Sequence, residues 1–302
     1  MPCLVIVVGN RRPPNTWYSS VAGRGDPSFK PPPMPTGRDR PAAASLGPGL
    51  AGVFGGGSGG YSASNEVYDY ASNTWSVRAP MPTARWSPAA APLGLGLAGV
   101  FGGYGGERKN EVYDHNSNTW STKANIPSSR GHLAAAPLGL GLAGVFGGVS
   151  NEYYVANNEV YNVGTNTWSS RAAMPSARGY LAAAPLGPGL VGVFGGYDGF
   201  SYYPRDTVVY NHDTNTWTTR APIPTPRYSL AAAPLGPGLV GVFGGIGREN
   251  ANEVYDHNAN VWRARASLPT GRYGLTAAEL DNGVAGTFGG FPTDNTTEIY
   301  LY

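Results

Sequence analysis

The chain has 302 residues, of which 41% are hydrophobic and 13% are charged, and its formal net charge is +2. A chain of this composition can bury a large core, and it contains no Lys/Arg block of the kind that neutralises a phosphate backbone, so a nucleic acid is not expected as a partner. Its single cysteine, Cys3, excludes internal disulfides and cysteine-rich zinc sites.

The first segment, residues 1–14, is expected to form an N-terminal tail. Its apolar run, residues 4–8, is too short to span a membrane, and it lacks the basic start and the small-residue cleavage site of a convincing signal peptide. The sequence leaves the compartment open, with the cytoplasm favoured. Residues 18–37 form a Pro/Gly-rich insertion that contains Arg24-Gly25-Asp26 and Pro31-Pro32-Pro33. We interpret it as an extended arm rather than as an adhesion motif.

The remainder is a six-fold repeat with periods of 45 to 49 residues. In every copy Phe-Gly-Gly follows an arginine by 16 residues; the arginines are Arg38, Arg85, Arg130, Arg178, Arg227 and Arg272. Each copy also has a tryptophan at an equivalent position, which precedes the next arginine by 10 residues except in the first copy: Trp17, Trp75, Trp120, Trp168, Trp217 and Trp262. Units of this size are stable only when stacked, which predicts one domain over residues 1–302.

Each unit reads as four short strands joined by turns. In the unit from Arg178 to Trp217, strands are predicted at residues 179–184, 190–194, 208–210 and 216–218. A flat stack of such sheets would leave edges exposed, whereas a radial arrangement buries both faces of each sheet. We therefore predict an all-β, six-bladed propeller of four-stranded antiparallel blades. Its alanine-rich strands would be innermost and its tryptophan strands outermost.

The repeat resembles the kelch family. A Gly-Gly doublet follows an apolar strand, and then come a Val-Tyr strand, a tryptophan and a Met-Pro-x-x-Arg segment, the last clearest at residues 81–85 and 174–178. The resemblance spans nearly the whole chain and implies a kelch-type β-propeller. It also implies that the loops after Gly-Gly and around the arginines open on one face, at the mouth of a central channel.

The sequence also predicts how the ring closes. The last unit ends at Tyr302, before its tryptophan would occur, and Trp17 lies in the sequence that is missing there. We predict that residues 15–20 form the outer strand of the blade whose inner strands come from residues 273–302. The alternative is that the chain is a segment of a longer array.

The expected channel face carries the binding candidates. In the loops after Gly-Gly these are Tyr104, Tyr153, Tyr154, Tyr197, Phe200, Tyr202 and Tyr203. Just after the repeated arginines they are Arg40, Trp86, His132, Tyr180, Tyr228 and Tyr273. Tyrosine provides large contact area at small entropic cost, so we interpret the face as a site for a protein segment or a glycan. The alternative is that the tyrosines cover one another or the adjacent blade.

The repeated arginines and tryptophans are assigned structural roles. A glutamate stands opposite the arginine in five units: Glu66, Glu111, Glu159, Glu253 and Glu298. Since buried charges are generally paired, repeated ion pairs are favoured over a cationic ring for an acidic ligand. The fourth unit has Val208 at this position, so Arg178 is expected to lack such a partner and to be open to a ligand.

No metal site or cofactor is expected. His115, His212 and His257 occupy equivalent turns of different blades, too far apart to converge on zinc. The motifs of copper radical oxidases and of sialidases are also missing from the sequence. The favoured function is a non-catalytic binding module. A kelch-type sugar epimerase or mutarotase, using groups such as Asp39 and Glu107, is one alternative, and a structural subunit of a larger assembly is the other.

Overall fold

A computed structural model describes residues 16–18, 31–200, 203–292 and 294–302, with the backbone alone for residues 16–18. The expected tail, residues 1–14, and most of the expected insertion lie outside these ranges, as does Tyr202. All regular structure in the described residues is β-strand. No helix of the described residues is long and apolar enough to cross a membrane.

The described residues form six four-stranded antiparallel sheets, which we number as blades 1 to 6 in chain order of their first strands. The innermost strands are β2 (Ala42–Gly47), β6 (Ala89–Gly94), β10 (Ala134–Gly139), β16 (Ala182–Gly187), β20 (Ala231–Gly236) and β24 (Thr276–Asp281). The second strands are β3 (Leu50–Phe54), β7 (Leu97–Phe101), β11 (Leu142–Phe146), β17 (Leu190–Phe194), β21 (Leu239–Phe243) and β25 (Val284–Phe288). The six-bladed all-β propeller predicted from the repeat is thereby confirmed.

Two further strands complete each blade. The third strands are β4 (Asn65–Asp69), β8 (Asn110–Asp114), β14 (Asn158–Asn162), β18 (Thr207–Asn211), β22 (Asn252–Asp256) and β26 (Thr297–Leu301). The outer strands are β5 (Thr74–Val77), β9 (Thr119–Thr122), β15 (Thr167–Ser170), β19 (Thr216–Arg220), β23 (Val261–Ala264) and β1 (Thr16–Tyr18). Blade 3 also carries a hairpin, β12 (Val149–Ser150) and β13 (Tyr153–Tyr154), in its loop.

The innermost strands form the wall of the central channel. Along β2, buried and partly buried residues alternate, so Ala42 and Ala44 pack between blades while Ala43 and Ser45 face the channel. Alanine suits both positions because adjacent innermost strands contact each other around the axis. A proline such as Pro92 is tolerated in these strands because each is the inner edge of its sheet and need not donate hydrogen bonds outward.

The repeated tryptophan packs between neighbouring blades. Trp120 of blade 2 lies edge-on to Phe54 of blade 1, with ring centroids 5.7 Å apart, and its indole N–H donates to the carbonyl of Ala79 at 2.8 Å. The pattern recurs for the other tryptophans with described side chains: Trp75, Trp168, Trp217 and Trp262. Each pair buries two large rings and satisfies the indole donor, which fixes one blade against the next.

The Gly-Gly doublets supply a second connection between blades. Gly102 has φ 55°, and a Cβ there would lie 2.6 Å from the carbonyl oxygen of Arg130, so only glycine fits. The next glycine, Gly103, donates its N–H to that same carbonyl at 3.0 Å. Blade 6 is joined to blade 1 in the same way, since Gly290 donates to the carbonyl of Arg38 at 3.0 Å.

The N-terminal strand pairs with the last blade. In β1, Thr16 lies opposite Leu301 and Tyr18 lies opposite Ile299, antiparallel to β26. The strand is shorter than the predicted residues 15–20, of which 15, 19 and 20 lie outside the described ranges. That this strand holds the ring closed stays a prediction.

Candidate functional site

The six repeated arginines support the loops of the channel face. All six are fully buried. Five pair with the expected glutamates: Arg38–Glu66 at 2.6 Å, Arg85–Glu111 at 2.7 Å, Arg130–Glu159, Arg227–Glu253 at 2.5 Å and Arg272–Glu298 at 2.6 Å. Each arginine also donates to the carbonyl of the first glycine in its own blade's doublet, as Arg38 does to Gly55 at 3.0 Å. Through these ion pairs and hydrogen bonds, the buried guanidinium groups hold the loops of the channel face in place.

The expectation that Arg178 is open to a ligand is wrong. Arg178 pairs with Asp206 at 2.6 Å, and its guanidinium is as fully buried as the others. Asp206 lies two residues before Val208, at the end of the loop rather than within strand β18, so a carboxylate reaches the arginine from a different position. Its side chain is 34% exposed, which makes this the most accessible of the six pairs.

The second residue after each arginine forms what we call the mouth ring: Arg40, Ser87, His132, Tyr180, Ser229 and Gly274. All six have left-handed backbone, with φ between 48° and 64°. Their main chains are hydrogen-bonded around the channel; for example, Ser229 donates to the carbonyl of Tyr180 at 2.8 Å and Gly274 donates to that of Ser229 at 2.8 Å. The mouth ring surrounds the end of the channel that opens on this face, which we call the first mouth, and a cavity of about 130 Å³ lies there.

Three of the predicted residues occupy the preceding position instead. Trp86, Tyr228 and Tyr273 directly follow their arginines and form isolated β-bridges with residues of the loop after Gly-Gly. Trp86 pairs in this way with Tyr104. These side chains therefore belong to the loop surface around the mouth ring, and not to the channel wall.

Aromatic side chains from blades 2 to 5 meet at this mouth. We define the aromatic cluster as Trp86, Tyr104, His132, Tyr180, Tyr197, Tyr203 and Tyr228. At its centre, His132 and Tyr180 stack with ring centroids 3.7 Å apart. Tyr180 contacts Tyr228 at 5.8 Å, and Tyr228 lies 5.5 Å from Tyr197 and 5.2 Å from Tyr203.

The cluster continues in the other direction from His132. Its ring lies 5.3 Å from Trp86 and 5.1 Å from Tyr104, and these two rings are 5.7 Å apart. All the tyrosines of the cluster and Trp86 are partly exposed, whereas His132 is buried. The result is one surface of mutually supported rings, with Tyr154 attached edge-on to Tyr197 at 5.4 Å.

Arg40 adds a positive charge beside this surface. Its guanidinium carbon lies 4.8 Å from the ring centroid of Trp86 and 5.8 Å from that of Tyr180, both within cation–π range. Asp39 pairs with it at 2.8 Å. Burial raises the pKa of the Asp39 carboxyl, and the charge of Arg40 opposes that rise. The pair is therefore close to neutral overall and is held against the aromatic rings.

His132 is held neutral at physiological pH. Burial, together with the nearby charge of Arg40, lowers the pKa of His132 to about 3. Its Nδ1 is 2.7 Å from the hydroxyl of Ser87. Among the described residues no carboxylate contacts the imidazole, so the pair lacks the third group that orients a histidine base in Ser-His-Asp hydrolases.

Other predicted residues lie outside the cluster. Tyr153 and Phe200 are 76% and 87% exposed, and Tyr273 contacts Phe291 of its own blade at 5.3 Å. Tyr202 lies outside the described residues. The turn histidines each contact the tyrosine two residues before them: His115, His212 and His257. Within the described chain, no group of three or more metal-ligating side chains converges.

Sequence reasoning missed several residues of this region. Ser229 and Gly274 complete the mouth ring but are small and carry no chemical signal. The signal that could have found them is position, because each stands two residues after a repeated arginine. Asp206 could have been found as the nearest acidic residue to the missing glutamate.

Comparisons with known proteins agree with this architecture. A solved structure described as "Structure of YjhT" matches with a TM-score of 0.72 and 14% identity, over 88% of this chain and 94% of that one, a likeness that shows the fold alone. No curated protein is similar enough in sequence to match the chain. The family model for the KLHDC2/KLHL20/DRC7 Kelch-repeats domain matches residues 42–245, and this fold supports a protein-interaction role at a coarse level. Since that match covers more than half of the sequence, the chain belongs to the kelch-repeat family.

Proposed function

We propose that the chain is a non-catalytic protein-interaction module that binds a segment of a partner protein on the aromatic cluster at the first mouth. The observation that carries the proposal is the continuity of the cluster, in which seven rings from four blades support one another beside the mouth ring. Variable loops on a repeated framework are where recognition usually resides.

The cluster has the properties of a preorganised binding surface. Stacking of His132 on Tyr180, and the contacts of Tyr228 with its neighbours, hold these rings before any partner arrives. A partner would then immobilise few additional side chains, which lowers the entropic cost of association. Tyrosine and tryptophan are also the residues that most often dominate interface energetics.

The arrangement favours a protein segment over a glycan. Sugars stack on free ring faces, but here one face of Tyr180 is covered by His132, and Tyr228 is packed against three other rings. What the cluster offers is ring edges, hydroxyl groups and a cavity of about 130 Å³ at the mouth ring. Such a surface suits an extended peptide that places one side chain in the cavity.

The test is selection of peptides on the full-length protein. A phage-displayed random peptide library should yield a sequence family whose synthetic member binds in fluorescence polarisation. The variant Tyr228→Ala, which removes the ring that contacts Tyr180, Tyr197 and Tyr203, should weaken that binding by at least about 30-fold, the loss expected for an interface hot spot. Tyr228→Phe should retain most of it, because the ring is kept. Val77→Ala, at a 72% exposed position on the outer strand of blade 1, is the matched control and should bind as the wild type does.

Alternative functions give different outcomes. A peptide family that binds Tyr228→Ala and the wild type equally well would refute the assignment of the cluster. Retention on a glycan array, lost in the same variant, would replace the peptide with a sugar. Turnover of a free sugar that disappears in His132→Ala would instead indicate an enzyme of the epimerase or mutarotase type.

A further inference from the structure

The channel has a second mouth, at the end away from the aromatic cluster. Two rings of side chains line it. The first ring consists of alanines: Ala43, Ala90, Ala135, Ala183, Ala232 and Ala277. The second ring, nearer the opening, consists of Ser45, Pro92, Pro137, Pro185, Pro234 and Glu279. The members of each ring occupy equivalent positions of the six innermost strands.

Glu279 is the exception in an otherwise apolar wall. Four blades have proline at its position, and the hydroxyl of Ser45 in blade 1 donates to the carbonyl of Gly47 at 3.3 Å. Of the residues that line this end of the channel in the described chain, Glu279 alone carries a charge. A carboxylate here has no structural counterpart in the other blades, so the fold does not require it.

The carboxylate also lacks a partner of its own. Among the described residues, no hydrogen bond or ion pair is formed by the side chain of Glu279. It is partly buried, and burial raises its pKa, with a smaller contribution in the same direction from Asp281. A negative charge in this position is therefore partly desolvated, and no neighbouring group in the described chain compensates for the lost hydration. A cationic ligand would supply that compensation.

The shape of the site limits what can enter. The cavity at this mouth is about 90 Å³, room for about three water molecules, and small beside the cavities of several hundred cubic ångströms that hold drug-sized ligands. Its walls are methyl groups and proline rings. A single narrow group fits, with an apolar stem against the alanines and a positive end at the carboxylate.

We propose that the second mouth binds a primary alkylammonium group, which inserts its methylene stem between the alanine and proline rings and pairs with Glu279. The group comes either from a lysine side chain of a partner protein or from a free aliphatic amine. Exposed leucines flank this opening on the turns after β6 and β10, where Leu95 and Leu140 are 78% and 92% exposed. The inference is independent of the proposed function, because Glu279 and the prolines of its ring line only this cavity, although the alanine ring also borders the cavity at the first mouth.

The test uses the full chain with methyl-labelled alanine, so that the channel wall itself reports binding. Titration with n-butylammonium chloride, and separately with Nα-acetyl-lysine N-methylamide, should shift the methyl signals of alanines such as Ala277 in a saturable way. n-Butanol, which has the stem without the charge, should bind at least about tenfold more weakly, as expected for loss of a partly desolvated ion pair.

Variants at the ring separate a ligand site from a structural role. Glu279→Gln removes the charge, and Glu279→Pro installs the residue that four other blades carry at this position; both should lower the affinity for n-butylammonium about tenfold or more. Moving the carboxylate to the neighbouring blade, in Pro234→Glu/Glu279→Pro, should restore binding because all six positions face the same channel. Asp281→Asn is the control for the nearby exposed carboxylate and should weaken n-butylammonium binding much less than either Glu279 variant does.

The two sources of the amine are distinguished by the leucines. Tighter binding of a lysine-containing peptide than of n-butylammonium, reduced by Leu140→Ala, would identify a protein partner, whereas equal binding unaffected by Leu140→Ala would identify a free amine. Binding that persists in Glu279→Gln and Glu279→Pro would overturn the proposal. So would unchanged alanine methyl signals with both amines at tens of millimolar, or failure of the double variant, folded by its melting temperature, to recover binding.

Discussion

Replacing Glu298 with glutamine should destabilise the propeller, because it leaves a buried guanidinium without a counter-charge. Both side chains of the Arg272–Glu298 pair are fully buried, and the pair is 2.6 Å long. Without the carboxylate, Arg272 would retain neutral acceptors such as the carbonyl of Gly289 at 2.7 Å and the hydroxyl of Thr287 at 2.9 Å. Burial lowers the pKa of Arg272, and the charge of Glu298 opposes this. The carboxylate therefore offsets the cost of burying the charged guanidinium.

The expected loss is large enough to measure. Removing one member of a buried ion pair costs about 3–5 kcal/mol of unfolding free energy. For 302 residues the entropy of unfolding is about 0.6 kcal/mol/K, so that each 1 kcal/mol lowers Tm by about 1.6 °C. Glu298→Gln should therefore lower Tm by about 5–8 °C in differential scanning calorimetry at pH 7.

Two other pairs provide a graded comparison. Asp206, the partner of Arg178, is 34% exposed, so water can replace part of what the carboxylate supplies, and Asp206→Asn should cost about 1–2 kcal/mol. The surface pair Arg263–Asp256 is 3.1 Å long with side chains 44% and 19% exposed, and Asp256→Asn should cost less than about 1 kcal/mol.

The Tm should fall most in Glu298→Gln, less in Asp206→Asn and least in Asp256→Asn. If Glu298→Gln and Asp256→Asn lower Tm equally, burial does not decide the strength of these pairs. A Glu298→Gln protein as stable as the wild type would show that neutral acceptors are enough for Arg272. Near-ultraviolet circular dichroism should confirm that each variant keeps its packed aromatic rings before its Tm is compared.

Three further predictions follow from the same structure. The pKa of His132 is about 3 in the folded protein and about 6.5 in the unfolded chain, so the stability that the neutral imidazole contributes is present above about pH 6.5 and is lost as the pH falls. Between pH 7 and pH 5 the wild type should therefore lose about 2 kcal/mol more unfolding free energy than His132→Ser, as measured by urea titration. Equal losses in the two proteins would contradict this. Deleting residues 1–20 removes the partner of β26 and should lower and broaden the calorimetric transition, whereas an unchanged transition would refute closure by β1. Trp120→Ala should cost about 3–5 kcal/mol through the cavity left beside Phe54, and a loss below 1 kcal/mol would refute the role of this ring between blades.

The fold was predictable from the sequence because its markers repeat at fixed spacing. An arginine followed after 16 residues by Phe-Gly-Gly defines each blade, and the apolar, small and aromatic residues between them assign the order of the strands. Kelch propellers reuse the same backbone positions in every blade, so six copies amount to six observations of one unit. Length variation is confined to the loops after Gly-Gly and to the insertion before Arg38. The spacing from arginine to Phe-Gly-Gly is therefore the same in all six copies.

The arrangement at the first mouth was predictable only in part. Arg40, His132 and Tyr180 reach the mouth ring because their backbones are left-handed, a conformation that non-glycine side chains rarely adopt and that no local sequence signal announces here. Trp86 and Tyr228, one position earlier, point to the loop surface instead. A single residue of offset thus separates the channel wall from its rim. The repeated arginines mark both positions in the sequence, but only the structure shows which of the two faces the channel.

The two ends of the channel are expected to act separately. Arg40 stands at the first mouth and Glu279 at the second, about five residues of strand or roughly 15 Å apart. At that distance two unit charges interact by about 0.3 kcal/mol in water and about 1 kcal/mol at an effective dielectric constant of 20. Glu279→Gln should therefore change peptide affinity at the aromatic cluster by less than about sixfold. A larger change would mean that the channel transmits structure between its mouths, and that the innermost strands move when either end is occupied.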